Sequence, residues 1–433
     1  MDSITFYGAA SEVGRSCFLV ESNENTMLDC GIKLEERKAI PPAFDVKRSP
    51  EVDQLLISHA HIDHCGYAPA LYQHGFTGKT LLTKATRDMA QVLLADALRL
   101  QGESLFSKKS VDKFFAHTKL VEYRKPGQGV EFRDAGHVLG SAMILLDTGE
   151  HRILYTGDVC TRATRLLDGA DLEELEADIL ITEGTYGGHQ QVHPATKTTV
   201  NNFIRHVKTT LDHNGKVLVP TFATGRGQEV LLTLESFMRS GALPKCPIFL
   251  DGMVRKMMRI HRHNSHLLRR EIQLRILTSN DDPFKSKFFR EPKKKDKSDV
   301  LLEDQAIIVA PSGMLVGGPS VRYFQALAPY RRNKVILSGY QAEDTPGRKL
   351  QEGVRKLEVG KEMVDVKCDI EKAPFSGHAD SQELLHLARR VKGLKQVFVV
   401  HGERQKSLEL AKNMQRHLRV KAHVPELGEK VQL

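Results

Sequence analysis

Short apolar runs bounded by turn residues fill the first part of the chain. Ile4–Tyr7, Ser16–Val20, Thr26–Leu28 and Gln54–Ser58 read as strands, and the near-helical recurrence of apolar positions over Ala85–Gln101 reads as a helix. Further strand-like stretches run from Val130 to His137, from Ala142 to Leu146, from Arg152 to Asp158 and over Gln396–Val400. Strands alternating with helices predict a layered α/β fold. The character changes after about residue 188. A long helix over Pro194–His213, the strand Lys216–Pro220, a helix over Gln228–Ser240 and strands at Pro247–Leu250, Ala306–Ala310 and Lys334–Ser338 describe a second α/β stretch.

The ends of these strands carry the chemistry. Directly after Leu55-Leu56-Ile57-Ser58 come His59, His61, Asp63 and His64, four metal-ligand side chains within six positions. Imidazole nitrogens with a carboxylate suit zinc, and a pair of ions can clamp the attacking and leaving oxygens of a phosphodiester. His137 and Asp158 end two more strand-like stretches, and Val400 leads into His401-Gly402-Glu403. Ligands at the ends of separate strands converge on one edge of a sheet, where α/β folds place their sites. With 19 histidines in the chain, chance clusters must be weighed. His261, His263 and His266 repeat the spacing, but Ser265 stands where the first cluster has Asp63, and Met253–Ile260 before them reads as an amphipathic helix.

Taken in order, Asp29, His59, His61, Asp63, His64, His137, Asp158, Glu183, His378 and His401 resemble the motifs of the β-CASP branch of the metallo-β-lactamase superfamily, over nearly the whole chain. The nearest likeness is to archaeal and bacterial homologues of the nuclease subunit of the cleavage and polyadenylation specificity factor. Met27-Leu28-Asp29-Cys30-Gly31, Gly136-His137 with Gly140-Ser141, and Tyr155-Thr156-Gly157-Asp158 match the first, third and fourth superfamily motifs. Thr182–Gly187, Pro374–Asp380 and Val399–Glu403 match the three that define the branch. The resemblance implies a metallo-β-lactamase αββα sandwich with an inserted α/β β-CASP domain. The first domain would cover 1–187 and 363–433, and the insertion 188–362. Histidine at position 401 is what RNA-acting members carry, where DNA-repair members carry valine. Archaeal relatives often place KH domains before the core; this sequence opens at the core, so RNA would be gripped by the core or by partner subunits.

The same resemblance implies two zinc ions per chain. His59, His61 and His137 would hold one, Asp63, His64 and His401 the other, and Asp158 would bridge them. Asp29 would orient a ligand through a hydrogen bond. His378 would face the scissile phosphate, paired with Glu183, so that Asp63, Asp158, Glu183 and His378 form the catalytic set. RNA contacts are expected at Arg226, in the Gly-rich stretch Thr221–Glu229, at Ser312, and at residue 377 of the Ser376-Gly377 step. Loops at Pro311–Met314 and Ser338–Gln341 are suited to backbone contacts along RNA. The run from Phe284 to Lys297 interleaves aromatics with positive charge, a composition suited to stacking bases and neutralising phosphates.

Composition changes little. The 433 residues allow two domains, and 40% hydrophobic with 27% charged residues is an ordinary globular balance. A net charge of +9 fits a polyanionic partner without requiring one. The six cysteines form no Cys-x-x-Cys pair and read as reduced core residues. No apolar run has signal-peptide or membrane-spanning length, which points to a cytoplasmic protein without membrane association. The function expected is a zinc-dependent ribonuclease that cuts internally, leaving 5′-phosphate and 3′-hydroxyl ends, in RNA processing or 3′-end maturation. A 5′-to-3′ exoribonuclease like ribonuclease J is the alternative, with a small-molecule hydrolase and an inactive RNA-binding scaffold behind it. Expected partners are RNA, other RNA-processing subunits and a second copy of the chain.

Overall fold

In the computed structural model, residues 2–35, 38–278, 281–294 and 297–433 are described. The chain divides into two compact units. The first comprises Met1–Ala163, Gly169–Val192 and Gly377–Leu433, and the second Thr164–Asp168 and His193–Ser376.

Two large sheets frame the first unit, beside the hairpin of Lys33–Glu35 with Lys38–Ile40. One runs, in spatial order, Lys430–Gln432, Ser3–Phe6, Phe18–Glu21, Thr26–Leu28, Gln54–Leu56, Lys79–Thr83 and Thr118–Val121. The other runs Lys421–His423, Gln396–Val400, Ile179–Glu183, Arg152–Tyr155, Ala142–Asp147 and Val130–Asp134. Alternation along the strands explains how they pack. Ile4, Phe6, Phe18 and Val20 of the first sheet meet Phe132, Ile144, Ile153, Tyr155, Ile181, Phe398 and Val400 of the second in one core. The intervening residues of the second sheet, among them Leu145, Leu154, Leu180, Val397 and Val399, turn the other way. There they pack under Leu384, Leu387 and Ala388 of the helix Ser381–Arg390 and under Leu410 and Met414 of the helix Arg404–Leu418. On the first sheet the helix Lys84–Gln101 buries Met89, Ala90 and Leu94.

The second unit is built on a parallel sheet in the order Phe289–Arg290, Ile248–Leu250, Ala306–Ala310, Lys216–Pro220, Lys334–Leu337 and Asp369–Lys372. Its central strands are buried throughout, as the continuous apolar runs in the sequence require of a parallel sheet covered on both faces. The expected helices appear as Thr196–Asp212, Arg226–Arg239 and Val254–His263. The chain returns to the first unit at Gly377. Before that return, Lys356–Val359 pairs with Glu362–Asp365, and Asp369–Lys372 adds to Lys334–Leu337. The short stretch Thr164–Asp168 also belongs to the second unit, where buried Glu229 accepts from the backbone N–H of Arg165 at 2.7 Å and of Leu166 at 3.1 Å.

Candidate metal centre

The strands of the first unit end where the sequence places its ligands. Gln54–Leu56 leads through Ile57 and Ser58 to His59, and one helical turn, Ile62–Cys65, then presents Asp63 and His64. Asp158 follows the strand Arg152–Tyr155, Glu183 ends Ile179–Glu183, and His401 follows Gln396–Val400. Two glycines permit the close approaches this needs. A Cβ on Gly31 would sit 1.8 Å from the Asp63 carbonyl oxygen, so only glycine lets the Asp29 loop pack against the His59–His64 segment. Gly136, just before His137, has φ +65 and would meet the Cys160 carbonyl oxygen at 2.4 Å.

Two candidate ligand sets result. His59, His61, His137 and Asp158 offer atoms within 4.8 Å of one another, as do Asp63, His64 and His401. In the first set His61 Nδ1 lies 3.0 Å from His59 Nε2 and 3.2 Å from His137 Nε2. Asp158 belongs to both. Its Oδ2 is 3.5 Å from His59 Nε2 and from His137 Nε2, while its Oδ1 is 3.3 Å from His64 Nε2 and from His401 Nδ1. His401 Nε2 reaches Asp63 Oδ2 at 3.2 Å.

Most ligand rings are held from behind. His59 Nδ1 is 3.0 Å from Ser58 Oγ, His137 Nδ1 2.7 Å from the Gly377 carbonyl oxygen, and His64 Nδ1 2.7 Å from Asp29 Oδ2. Thr185 Oγ1 lies 3.2 Å from His401 Nδ1. Asp29 is itself buried, with φ +56, and accepts from Ser58 N at 2.7 Å and from Ser58 Oγ and Tyr155 Oη at 2.6 Å. The partners on Nδ1 of His59 and His137 leave their Nε2 lone pairs converging on His61, an arrangement that repels itself unless a cation lies among them. Asp158 Oδ1 is buried without a hydrogen-bond partner among the described residues. Ligands about 2.0–2.1 Å from a tetrahedral zinc lie roughly 3.3 Å apart, close to the spacings here. The residues therefore fit a metal cofactor.

Electrostatics separates the sets. Burial holds His59 well below the ordinary imidazole value and His61 down to about 4, so both rest as neutral ligands. For His64 and His401 burial acts the same way, but Asp158 with Asp29, and Asp158 with Asp63, outweigh it and raise them. Asp158 is held well below the carboxylate range: burial opposes this, and His401, His64 and His378 overcome it.

Glu183, fully buried, accepts from Val159 N at 2.7 Å through Oε1 and lies 2.8 Å from His378 Nδ1 through Oε2. The His378 ring stands 4.6 Å from that of His137. Most ligands are buried, but His61, Asp63 and His378 are half-buried, so the site opens where those three meet. Arg226, at the first turn of its helix, and Ser312 belong to the second unit. Residue 377, expected to touch RNA, is a glycine whose carbonyl serves His137. The sequence reading missed Ser58, Tyr155 and Thr185. Ser58 adjoins a proposed ligand, and Tyr155 and Thr185 lie inside quoted motifs, so position was their only signal. His261 is buried in the second unit with Nδ1 2.8 Å from the Met257 carbonyl oxygen, and no metal-binding group among the described residues includes it. All six cysteines are buried thiols. Among the described residues no helix is long and apolar enough to cross a membrane.

The two-sheet unit with its histidine and carboxylate centre is that of a metal-dependent hydrolase. Residues 10–209 match the metallo-beta-lactamase superfamily, 227–350 the Beta-Casp domain, and 363–425 the Zn-dependent metallo-hydrolase RNA specificity domain. The chain belongs to the β-CASP branch of the metallo-β-lactamase superfamily, and the matches support a nuclease acting on RNA. It is 35% identical to a transcription termination factor FttA of Methanocaldococcus jannaschii, across 98% of this chain and 70% of that protein. A homologue of the same name in Pyrococcus abyssi is 36% identical, across 98% and 70%. An RNase J-like protein of Methanocaldococcus jannaschii is 34% identical across 98% of both chains. A protein of unknown function from Enterococcus faecalis shares the fold over the whole of both chains, at 14% identity and a TM-score of 0.59.

Proposed function

We propose that this chain is a two-zinc ribonuclease that hydrolyses internal phosphodiester bonds of RNA and leaves 5′-phosphate and 3′-hydroxyl ends. The observation that carries this reading is the division of Asp158, one oxygen toward His59 and His137 and the other toward His64 and His401. His59, His61 and His137 would hold one ion and Asp63, His64 and His401 the other, with Asp158 shared. Bound there, the ions supply Lewis acidity, neutralising charge on the phosphate and lowering the pKa of water. Asp29 fixes the His64 ring. Glu183 holds His378 through Nδ1, and Nε2, the other ring nitrogen, would give a proton to the departing 3′ oxygen as water attacks phosphorus from the opposite side. The ribose 2′ hydroxyl takes no part.

The relatives that are transcription termination factors favour a role at transcript ends. The RNase J-like relative, which matches this chain end to end, favours the second reading, 5′-to-3′ exonucleolytic attack. One assay separates them: zinc-supplemented protein with the same RNA labelled at its 5′ end or internally, beside circular RNA. Opened circles and internal products bearing 5′ phosphates are expected, and a single 2′-deoxy sugar upstream of the cut should be tolerated. Intact circles with release of 5′ mononucleotides would select the exonuclease, and a 2′,3′-cyclic phosphate would overturn the hydrolytic chemistry.

A further inference from the structure

His378 sits in a short loop between the strand Asp369–Lys372 and the helix Ser381–Arg390, and a loop imidazole must be fixed to act on a reacting atom. Glu183 fixes the ring. The main chain is fixed by the segment that follows Asp158. The Ala379 N–H donates to the Val159 carbonyl oxygen at 2.6 Å, and the Val159 N–H donates to the same Glu183 oxygen that lies 3.0 Å from His378 Nδ1. Three residues further on, Arg162 reaches back to the loop at two points. Its Nη2 donates to the His378 carbonyl oxygen at 3.4 Å, and its Nε lies 2.8 Å from Glu383 Oε1. Glu383 is seated in turn, because its Oε2 accepts from the Asp380 N–H at 2.9 Å in a capping box that starts the helix.

We propose that Arg162 is a positioning residue for His378: seated by Glu383, its guanidinium ties the His378 loop to the segment carrying Asp158, so that the imidazole meets the phosphate at a fixed place relative to the metal ligands. This rests on the ribonuclease reading above, in which His378 serves the leaving oxygen. The chemistry of arginine suits the task. A planar guanidinium sets its Nε against a carboxylate and its Nη2 on a carbonyl in different directions, which a single ammonium cannot reproduce with the same geometry. A purely structural role would show as lost stability, with kcat of the folded enzyme unchanged.

The test uses the full chain loaded with zinc and an RNA with one cleavage site. Arg162→Met should lower kcat 10- to 100-fold with zinc content and KM unchanged, and Arg162→Lys should recover only part of the loss. In a His378→Ala background, Arg162→Met should add less than a twofold further loss, because a positioning residue has nothing left to position. Glu383→Gln keeps an acceptor for the Asp380 N–H but drops the charge that seats Arg162, and it should reproduce part of the kcat loss should Arg162→Met fold poorly. Retention of kcat within twofold by both Arg162→Met and Glu383→Gln, or an undiminished loss in the His378→Ala background, would overturn the proposal while leaving the ribonuclease reading intact. A His378→Ala enzyme as active as the wild type would instead overturn that reading, and this proposal with it.

Discussion

Side chains that share one patch of the first unit carry separable duties. His378 is held by Glu183 and the Gly377 carbonyl holds His137, so removing the His378 ring leaves the ligand set standing. His378→Ala should lose roughly 10²- to 10⁴-fold in cleavage with zinc content near wild type. His64→Ala removes a ring placed by Asp29 and facing Asp158, and should lose both zinc and cleavage. Equal metal loss in the two variants, read by elemental analysis, would contradict this division. A second residue-scale prediction concerns His261, far in sequence from the ligands and buried until its pKa falls from 6.5 to about 4. Between those values the unfolded imidazole binds a proton that the folded one refuses. Stability is therefore fully present above pH 6.5 and is lost as pH falls toward 4, by about 3 kcal/mol over the interval. Urea unfolding of wild type and His261→Leu at pH 7 and pH 5 should show the variant losing about 2 kcal/mol less between them, and equal losses would refute the assignment.

At the scale of elements, the segment from Phe284 to Lys297 is only partly spent on structure. The backbone N–H groups of Lys293 and Lys294 donate to Asp299, and Lys297 Nζ pairs with Asp251 at 2.9 Å; Lys295 and Asp296 lie outside the described residues. If the lysine side chains meet RNA, changing Lys293, Lys294 and Lys295 to Ala should weaken binding and reduce its salt slope by up to about 2, at roughly 0.7 per lost contact with a single strand. An unchanged slope would assign the run to solvent. The strands were legible because buried parallel strands must be apolar throughout, and the clustering of His59, His61, Asp63, His64, His137, Asp158 and His401 because few residue types can hold a metal and these stood at strand ends. The Gly377 carbonyl was not legible, since every residue has one and its partner His137 is 240 positions away. Nor was Arg162, whose meaning depends on a helix cap near residue 383.

For the molecule as a whole, the chain order is itself informative. Asp63 and His401 meet although 338 positions separate them, and the whole second unit lies between them in sequence. A metal held by Asp63, His64 and His401 would therefore bind only when the first unit is closed by its C-terminal strands, and metal content would then report on the complete fold. Asp158 is the residue on which the account turns, since a centre for one ion would need only one of its oxygens. The most direct measurement is elemental analysis of the gently purified full chain beside Asp158→Asn, with RNA cleavage followed on the same samples. The account predicts about two zinc ions per wild-type chain and loss of both metal and cleavage in the variant; a ratio near zero with cleavage intact would contradict it.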